Sequence, residues 1–494
     1  MLEGPLWGIW NAMSPLNLLF GLIGCILGTL VGVLPGLGPA SAVALLFPVT
    51  INLPAVPAII MLGGIYYGAM YGGSTTSILM NIPGESSSVP TTFDGYEMAK
   101  QGRAGPALAI SAIGSFVGGT LAIMALSFTG PLFASLLFYF TAPDYAGMMF
   151  FSLVSLATLS GKSILKGILM VLTGMLLATV GCSLGGIPCF TFGSVKMLSG
   201  LDLVSMVIGL FGICEILVSL EEEVVTISQA KLGKLMPTFQ ELRNCIGCTL
   251  RSTGLGFVLG LLPGMVPTIA SFMAYDVEKR VSPNRANFGK GAIEGVCAPE
   301  VANNANAQAG YIPMMAFGIP PTPTLAMLLA ALVIFGLEPG PLLFTKNADF
   351  VWTIIGSMYV GNVILLILNL PLVGLWARIV YIPYKLLAPI ILGLCFLGSY
   401  AIRDDIFDVG VAVFFGIVGY VAKKFDWPIP PLLLGFILGP KLEGYLRPSL
   451  AMSGGSMTIF FTRPISLGFI LLTFLLIGIR FYLRKAEKTG QAQA

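Results

Sequence analysis

Apolar residues lie along this chain in uninterrupted blocks rather than in stripes. Residues 107–126, 145–159, 164–180, 204–220, 351–376, 386–401, 409–422 and 465–479 carry almost no charge. A surface helix of a soluble protein shows an apolar stripe of period 3.6, whereas a helix apolar on every side is buried in protein or lipid. At 1.5 Å per residue, about 20 such residues cross the core of a bilayer. The pattern predicts an all-α, polytopic membrane protein surrounded by lipid. Composition agrees: of 494 residues 56% are hydrophobic and only 10% charged, against roughly 25% charged in a soluble domain.

Glycine and proline interrupt the apolar sequence at matching places in the two halves. In the first half, apolar residues 18–33 run into Leu34-Pro35-Gly36-Leu37-Gly38-Pro39 and resume over 40–49. Proline removes a backbone donor and glycine opens the backbone. The second arm is too short to cross, so a helical hairpin reaching partway into the bilayer is expected. Residues 254–273, broken at Pro263-Gly264, form its counterpart. A second, more polar interruption falls within 66–106 and again within 298–327. Unwound backbone at membrane depth is tolerated only where protein or a watery cavity satisfies it.

These breaks supply the candidate ligand contacts: Gly36, Gly38, Ser74, Thr75, Thr76, Asn81, Gly84, Glu85, Ser86 and Ser87 from the first half, and Pro263, Gly264, Asn303, Asn304, Gln308, Pro320, Thr322 and Thr324 from the second. Hydroxyls and carboxamides suit a small polar ligand and a monovalent cation, the latter near Ser74, Asn81 and Asn304. An anion would meet almost no Lys or Arg in the spans. Its charge falls instead to helix N-termini at 84–88 and 321–324 or to a co-bound cation. Glu85 reads equally as an intramembrane carboxylate and as a loop-surface residue. Structural readings stand beside these: Gly72 and Gly73 as close-packing positions, and Ser or Thr bonded back to their own helix. Glu221 to Glu223 read as a solvated loop edge, and Asp276, Glu278, Lys279 and Arg280 as an exposed helix end.

The interruptions recur in register. GVLPGLGP and GLLPGMVP place Pro35 and Pro263 a shift of 228 apart, and NIPG and GIPP place Asn81 and Gly318 a shift of 237 apart. Cytoplasmic loops retain Lys and Arg. An outside N-terminus and inside C-terminus put 20 of the 26 basic residues on the inside. The first copy then starts outside and the second inside, so two inverted repeats are expected, as in many secondary transporters. The division is 1–225 for the first repeat, 226–251 for a cytoplasmic linker, 252–463 for the second repeat, and 464–494 for an added transmembrane helix and tail.

Other chemistry is thin. The chain has no histidine, which removes Ser-His triads and His-liganded zinc. Cys245 and Cys248 form an isolated C-x-x-C in what reads as a polar loop, and no metal site is expected. A net charge of +3 gives no sign of nucleic acid. Carboxylate pairs such as Glu294 and Glu300 could be imagined as acid and base, but nothing sets them over a scissile bond. An enzyme is not expected.

Three stretches carry a family resemblance: GVLPGLGPASAVALLFPVT, YYGAMYGGSTTSILMNIPGESSSVPTTFDGYEMAKQGRAGPALAI and AYDVEKRVSPNRANFGKGAIEGVCAPEVANNANAQAGYIPMMAFGIP. They resemble the large membrane subunit of the tripartite tricarboxylate transporters. The resemblance implies a bacterial inner-membrane permease that works with a periplasmic solute-binding protein and a small membrane subunit. It would import tricarboxylates, dicarboxylates or related acids by symport with sodium ion or proton, without other cofactors. A stand-alone carrier or exporter, or a channel, is the alternative. Val266 and Pro321 stand where the pattern leads one to expect glycine.

Overall fold

The computed structural model describes residues 3–34, 38–159, 161, 163–182, 186–221, 233–379 and 384–491. The first half opens with α1 (Glu3–Ala12), α2 (Pro15–Val33), α3 (Pro39–Thr50) and α4 (Ala55–Met80). After a short turn at Ser86–Ser88 come α5 (Val89–Lys100), α6 (Ala104–Leu136), α7 (Ala142–Leu159) and α8 (Ile164–Leu177). A small hairpin pairs Gly181–Cys182 with Pro188–Cys189, a feature too short for the hydropathy pattern to signal. α9 (Leu203–Val207) continues through a π-helical turn at Ile208–Ile213 into α10 (Cys214–Glu221).

The second half holds α11 (Phe239–Gly260), α12 (Pro267–Val281), α13 (Ile293–Ala309), α14 (Pro323–Ile334), α15 (Pro341–Lys346) and α16 (Ala348–Asn369). It continues with α17 (Val373–Ile379), α18 (Tyr384–Arg403), α19 (Ile406–Lys424), α20 (Ile429–Met452), α21 (Ile459–Thr462) and α22 (Pro464–Gln491). Among the described residues, six helices are long and apolar enough to cross a membrane. The all-α, polytopic fold is as the sequence leads one to expect. α11 starts at Phe239 on a Thr238/Glu241 capping box, so residues 239–251 are helix where the sequence reading has linker. Cys245 and Cys248 are therefore not in a loop. They are buried in α11 and share an apolar cluster with Cys297 of α13.

Two compact units emerge. One comprises residues 1–135 and 203–420, the other 136–202 and 421–494. Neither coincides with one half of the sequence. In the first unit, α10 and its π turn pack with α18 and α19, and a Cβ on Gly209 would stand 2.3 Å from the carbonyl oxygen of Ala412. In the second, α20 packs with α7 and α8, and a Cβ on Gly435 would stand 2.3 Å from the carbonyl oxygen of Val171. α22 also packs on α7 there, with the Ser466 N–H donating to Asp144 Oδ1 at 3.2 Å.

The seam that sets the first unit is backbone against backbone. Lipid tails supply no hydrophobic push between helices, so association depends on close van der Waals contact, which small residues permit. A Cβ on Gly28 or Gly32 of α2 would meet the carbonyl oxygen of Ile65 or Ala69 of α4 at 2.4 and 2.3 Å. A Cβ on Gly256 or Gly260 of α11 would meet that of Ala302 or Asn306 of α13 at 2.4 and 2.5 Å. The glycines are shifted by 228 and the facing carbonyls by 237, the same two spacings that separate the Gly/Pro motifs.

The breaks keep this register. α4 ends at Asn81 with φ +57°, and the π turn after α13 (Pro313–Phe317) ends at Gly318 with φ +66°. Both are left-handed ends of the kind that stop a helix. Gly38 and Val266 occupy equivalent extended positions, with φ −72° and −65°, ahead of a proline at the next helix's first residue. Extended backbone accepts any side chain, so Val266 leaves the path unchanged.

The seam generates a test within one helix. Gly256→Ala should cost about 1–3 kcal/mol through overpacking and lower the melting temperature of the detergent-purified protein. Gly254→Ala, where nothing lies within 4 Å of the added Cβ, should leave that temperature unchanged or slightly raised.

Candidate functional site

The second break of the first half folds back onto the glycine seam. A Cβ on Gly84 would lie 2.4 Å from the carbonyl oxygen of Gly32 and 2.6 Å from Cα of Gly73. This is a close approach that only glycine makes without displacing backbone. Gly84 thereby delivers the next residue, Glu85, into the protein: it is 7% exposed. Of the two readings of Glu85, the buried carboxylate is the one observed. Ser87 Oγ donates to Glu85 Oε1, and Asn303 Nδ2 of α13 donates to the same oxygen at 3.1 Å. The Asn303 Oδ1 is buried with no partner.

One turn before Asn303 on α13 stands Glu300, fully buried. Ser74 Oγ of α4 donates to its Oε2 at 2.6 Å and Thr91 Oγ1 of α5 to its Oε1 at 2.5 Å. The two carboxylates are near enough to act on one another, with Gly73 and Ser74 of α4 set against them: a Cβ on Gly73 would lie 2.8 Å from Glu85 Cγ. Glu300 is the residue the sequence reading missed as part of this cluster. The available signal was an ionisable residue inside a run of small and apolar residues, which in a membrane span is costly and marks function. Glu294, its supposed partner, is engaged elsewhere, by Asn284 Nδ2 at 2.5 Å.

The two halves meet here reciprocally. Ser74 contacts Glu300, and the positions 237 away from each, Tyr311 and Gly63, are also in contact, the Tyr311 hydroxyl lying 3.2 Å from a Cβ on Gly63. Glu85 contacts Asn303, and their counterparts Thr322 and Tyr66 lie side by side. An exchange of partners of this kind is the property of a two-fold relation. The Tyr66 hydroxyl makes no hydrogen bond at normal geometry despite its neighbour, and Gln308 Oε1 is likewise buried without a partner.

The remaining candidates divide. Thr75, Pro320 and Thr324 are buried along the same elements, while Asn81 and Ser86 are exposed. Ser86 Oγ lies 2.9 Å from Thr268 Oγ1. Thr76 Oγ1 donates back to the Gly73 carbonyl of its own helix at 3.1 Å. Asn304 is tied down, its Nδ2 donating to Ser115 Oγ at 2.8 Å and to the Glu300 carbonyl at 3.1 Å. Gly38, Pro263 and Gly264 sit at the hairpin breaks, and Gly36 lies outside the described residues.

The two helix N-termini are less open than the sequence implies. Thr322 Oγ1 accepts from the Leu325 N–H at 3.2 Å, and Pro323 has no N–H to offer. Glu85 and Ser88 close a capping box across the other. Apolar space lies elsewhere: a groove of about 470 Å³ between α6 and α11, lined by Val117, Phe239, Ile246 and neighbours, touches neither carboxylate.

A separate clasp holds α5 to the turn before α13. Asp94, fully buried, accepts at Oδ1 from the N–H groups of Gly289, Gly291 and Ala292 at 2.8–2.9 Å, and at Oδ2 from the Tyr275 hydroxyl at 2.8 Å. Nearby, Glu278 is not the exposed helix-end residue expected. It is 2% exposed and takes a two-point contact from Arg251, at 2.7 and 3.1 Å. Asp276 and Arg280 do pair at the surface.

Removing a buried acceptor leaves its donors unpaired, each at about 1–3 kcal/mol. Asp94→Ala should therefore destabilise the protein by several times more than Tyr275→Phe. Hydrogen exchange at Gly289, Gly291 and Ala292 should rise in the first variant and stay slow in the second.

The Tripartite tricarboxylate transporter TctA family matches residues 18–434. An Agrobacterium vitis protein, described as an uncharacterized 52.8 kDa protein in the TAR-I ttuC' 3' region, is 43% identical over 465 residues, covering 93% of this chain and 92% of its own length. A second from the same organism, an uncharacterized protein in the TAR-II ttuC' 3' region, is 47% identical over 211 residues, 43% of this chain and 87% of its own. No solved structure matches. With a family match over most of its length and glycine seams that repeat in register, the chain belongs to the tripartite tricarboxylate transporter TctA family and is a membrane transporter subunit.

Proposed function

We propose that this chain is the large permease subunit of a tripartite, binding-protein-dependent secondary transporter that imports a small organic carboxylate by cation symport. Its partners are a periplasmic solute-binding protein and a small membrane subunit. It sits in the bacterial inner membrane, with the N-terminus outside and the C-terminus in the cytoplasm. The observation that carries the reading is the cluster in which both broken helices meet. Glu85 from one break binds Asn303, and Thr322 from the other lies beside Tyr66. A ligand site at the junction of two repeats, lined by unwound segments, is a recurring transporter design.

The basic residues of the loops support placing the two-fold axis in the plane of the membrane, so that the repeats are inverted. Orphaned groups support a ligand in the cluster: Asn303 Oδ1, Gln308 Oε1 and the Tyr66 hydroxyl are buried without partners. Each such group costs free energy unless something binds it.

Proteoliposomes containing this chain and the small subunit should accumulate a labelled tricarboxylate or dicarboxylate only when its binding protein is added on the outside. Accumulation by this chain alone would favour a stand-alone carrier. Asn303→Ala should lower uptake by at least about tenfold, the equivalent of roughly 1.4 kcal/mol, with membrane insertion unchanged on a blot.

A further inference from the structure

Among the described residues, the cluster holds two buried carboxylates and no cationic side chain. Glu300 is fully buried and Glu85 nearly so, yet the groups that act on them are hydroxyls, the Asn303 carboxamide, the Cys297 thiol and each other. The titratable neighbours from the packed elements are Tyr66 and Tyr71 of α4 and Cys297 of α13 itself. Neutral donors can orient a carboxylate but cannot cancel its charge. A buried ion left unpaired is strongly unfavourable.

Two further observations point to a cation site. Asn303 donates its Nδ2 to Glu85 while its Oδ1 is buried and unpartnered, so a lone acceptor stands beside a carboxylate. The two-fold counterparts of Glu300 and Glu85 are Gly63 and Thr322, so the repeated framework forms without charge at these positions. The carboxylates thus stand on one side of the repeated frame only.

We infer that Glu300 and Glu85 are the seats of the co-transported cation, and that this positive charge must be in place before the anionic substrate enters the cluster. The inference deepens the proposed function and rests on it. Sodium ion and proton share the chemistry required, neutralising a carboxylate: Na⁺ would take oxygens from Glu85 and Asn303, and H⁺ would bond directly to a carboxylate oxygen. With the cation absent, an incoming carboxylate would meet two like charges in a low-dielectric setting, which forbids entry. Substrate and ion are then obligatorily ordered, and the empty site cannot leak ions alone without reburying the bare charges.

The test uses proteoliposomes of the membrane subunits with binding protein, under an inward sodium gradient in one arm and an inward pH gradient in the other. Glu300→Gln and Glu85→Gln keep the shape and remove the charge; at Glu300 one of the two donating hydroxyls must turn to accept from the new amide. Each should lower gradient-driven accumulation at least tenfold while retaining carboxylate exchange in the absence of a gradient. The arm in which wild type responds and the variants do not identifies the ion. Asp276→Asn, at the exposed pair with Arg280, is the control and should behave as wild type.

Accumulation by both glutamine variants with unchanged ion dependence would overturn the inference. Should either variant fail to reach the membrane, Thr91→Val, which removes a hydroxyl that stabilises the bare Glu300 carboxylate, should lower the half-stimulating ion concentration at least threefold, and no shift would count equally against it. Absence of any carboxylate uptake by the wild-type assembly would instead defeat the functional reading. In that case the ion seats remain measurable as a sodium- or pH-dependent rise in melting temperature of the purified chain, lost in Glu300→Gln.

Discussion

Contact of one helix backbone with another is the constraint on which the rest of this structure depends. Inside a bilayer two apolar helices gain nothing by excluding water, so they hold together only where they can touch closely. Glycines at 24, 28 and 32 on α2 face carbonyl oxygens of α4, and Gly64, Gly68 and Gly72 on α4 face α2 in return. Backbones this close allow Cα–H···O contacts and leave no side chain between them. The seam then gives the break that follows α4 a floor to fold onto: Gly84 lies against Gly32 and Gly73.

Electrostatics takes over where the seam ends. A polar side chain in such surroundings needs a partner, and most in the cluster have one from another element: Ser74 and Thr91 on Glu300, Asn303 on Glu85, Asn304 on Ser115. Each of these joins the first half of the chain to the second. The halves are thus locked through polar contacts at the same place where the buried carboxylates and carboxamides collect. Asp94 adds a lock of a different kind, gathering three backbone amides from the turn before α13.

The reciprocity of these contacts bears on how such a site arises. A two-fold frame presents equivalent positions twice, and here the two presentations differ in chemistry: Glu300 against Gly63, Glu85 against Thr322, Asn303 against Tyr66. One side carries carboxylates and a carboxamide, the other a hydroxyl and aromatic rings. The repeated frame is thus similar in packing and different in charge on its two sides.

Much of this was written in the residue order alone. Uninterrupted apolar blocks fixed the all-α membrane fold, because lipid admits few other structures. The spacings of 228 and 237 between Gly/Pro motifs set a register that the facing glycines and carbonyls reproduce residue for residue. Ser74, Glu85 and Asn303 were identifiable as polar groups stranded in apolar surroundings. Only the tertiary structure decided that Glu300, and not Asn81, joins them, since both are polar residues near a break. Burial depends on which helix face meets a neighbour, and that comes from contacts between residues 200 or more positions apart. The exchange of end helices between the halves, with α10 on α19 and α20 on α8, likewise left no local trace, because an apolar helix reads the same whichever partner it finds.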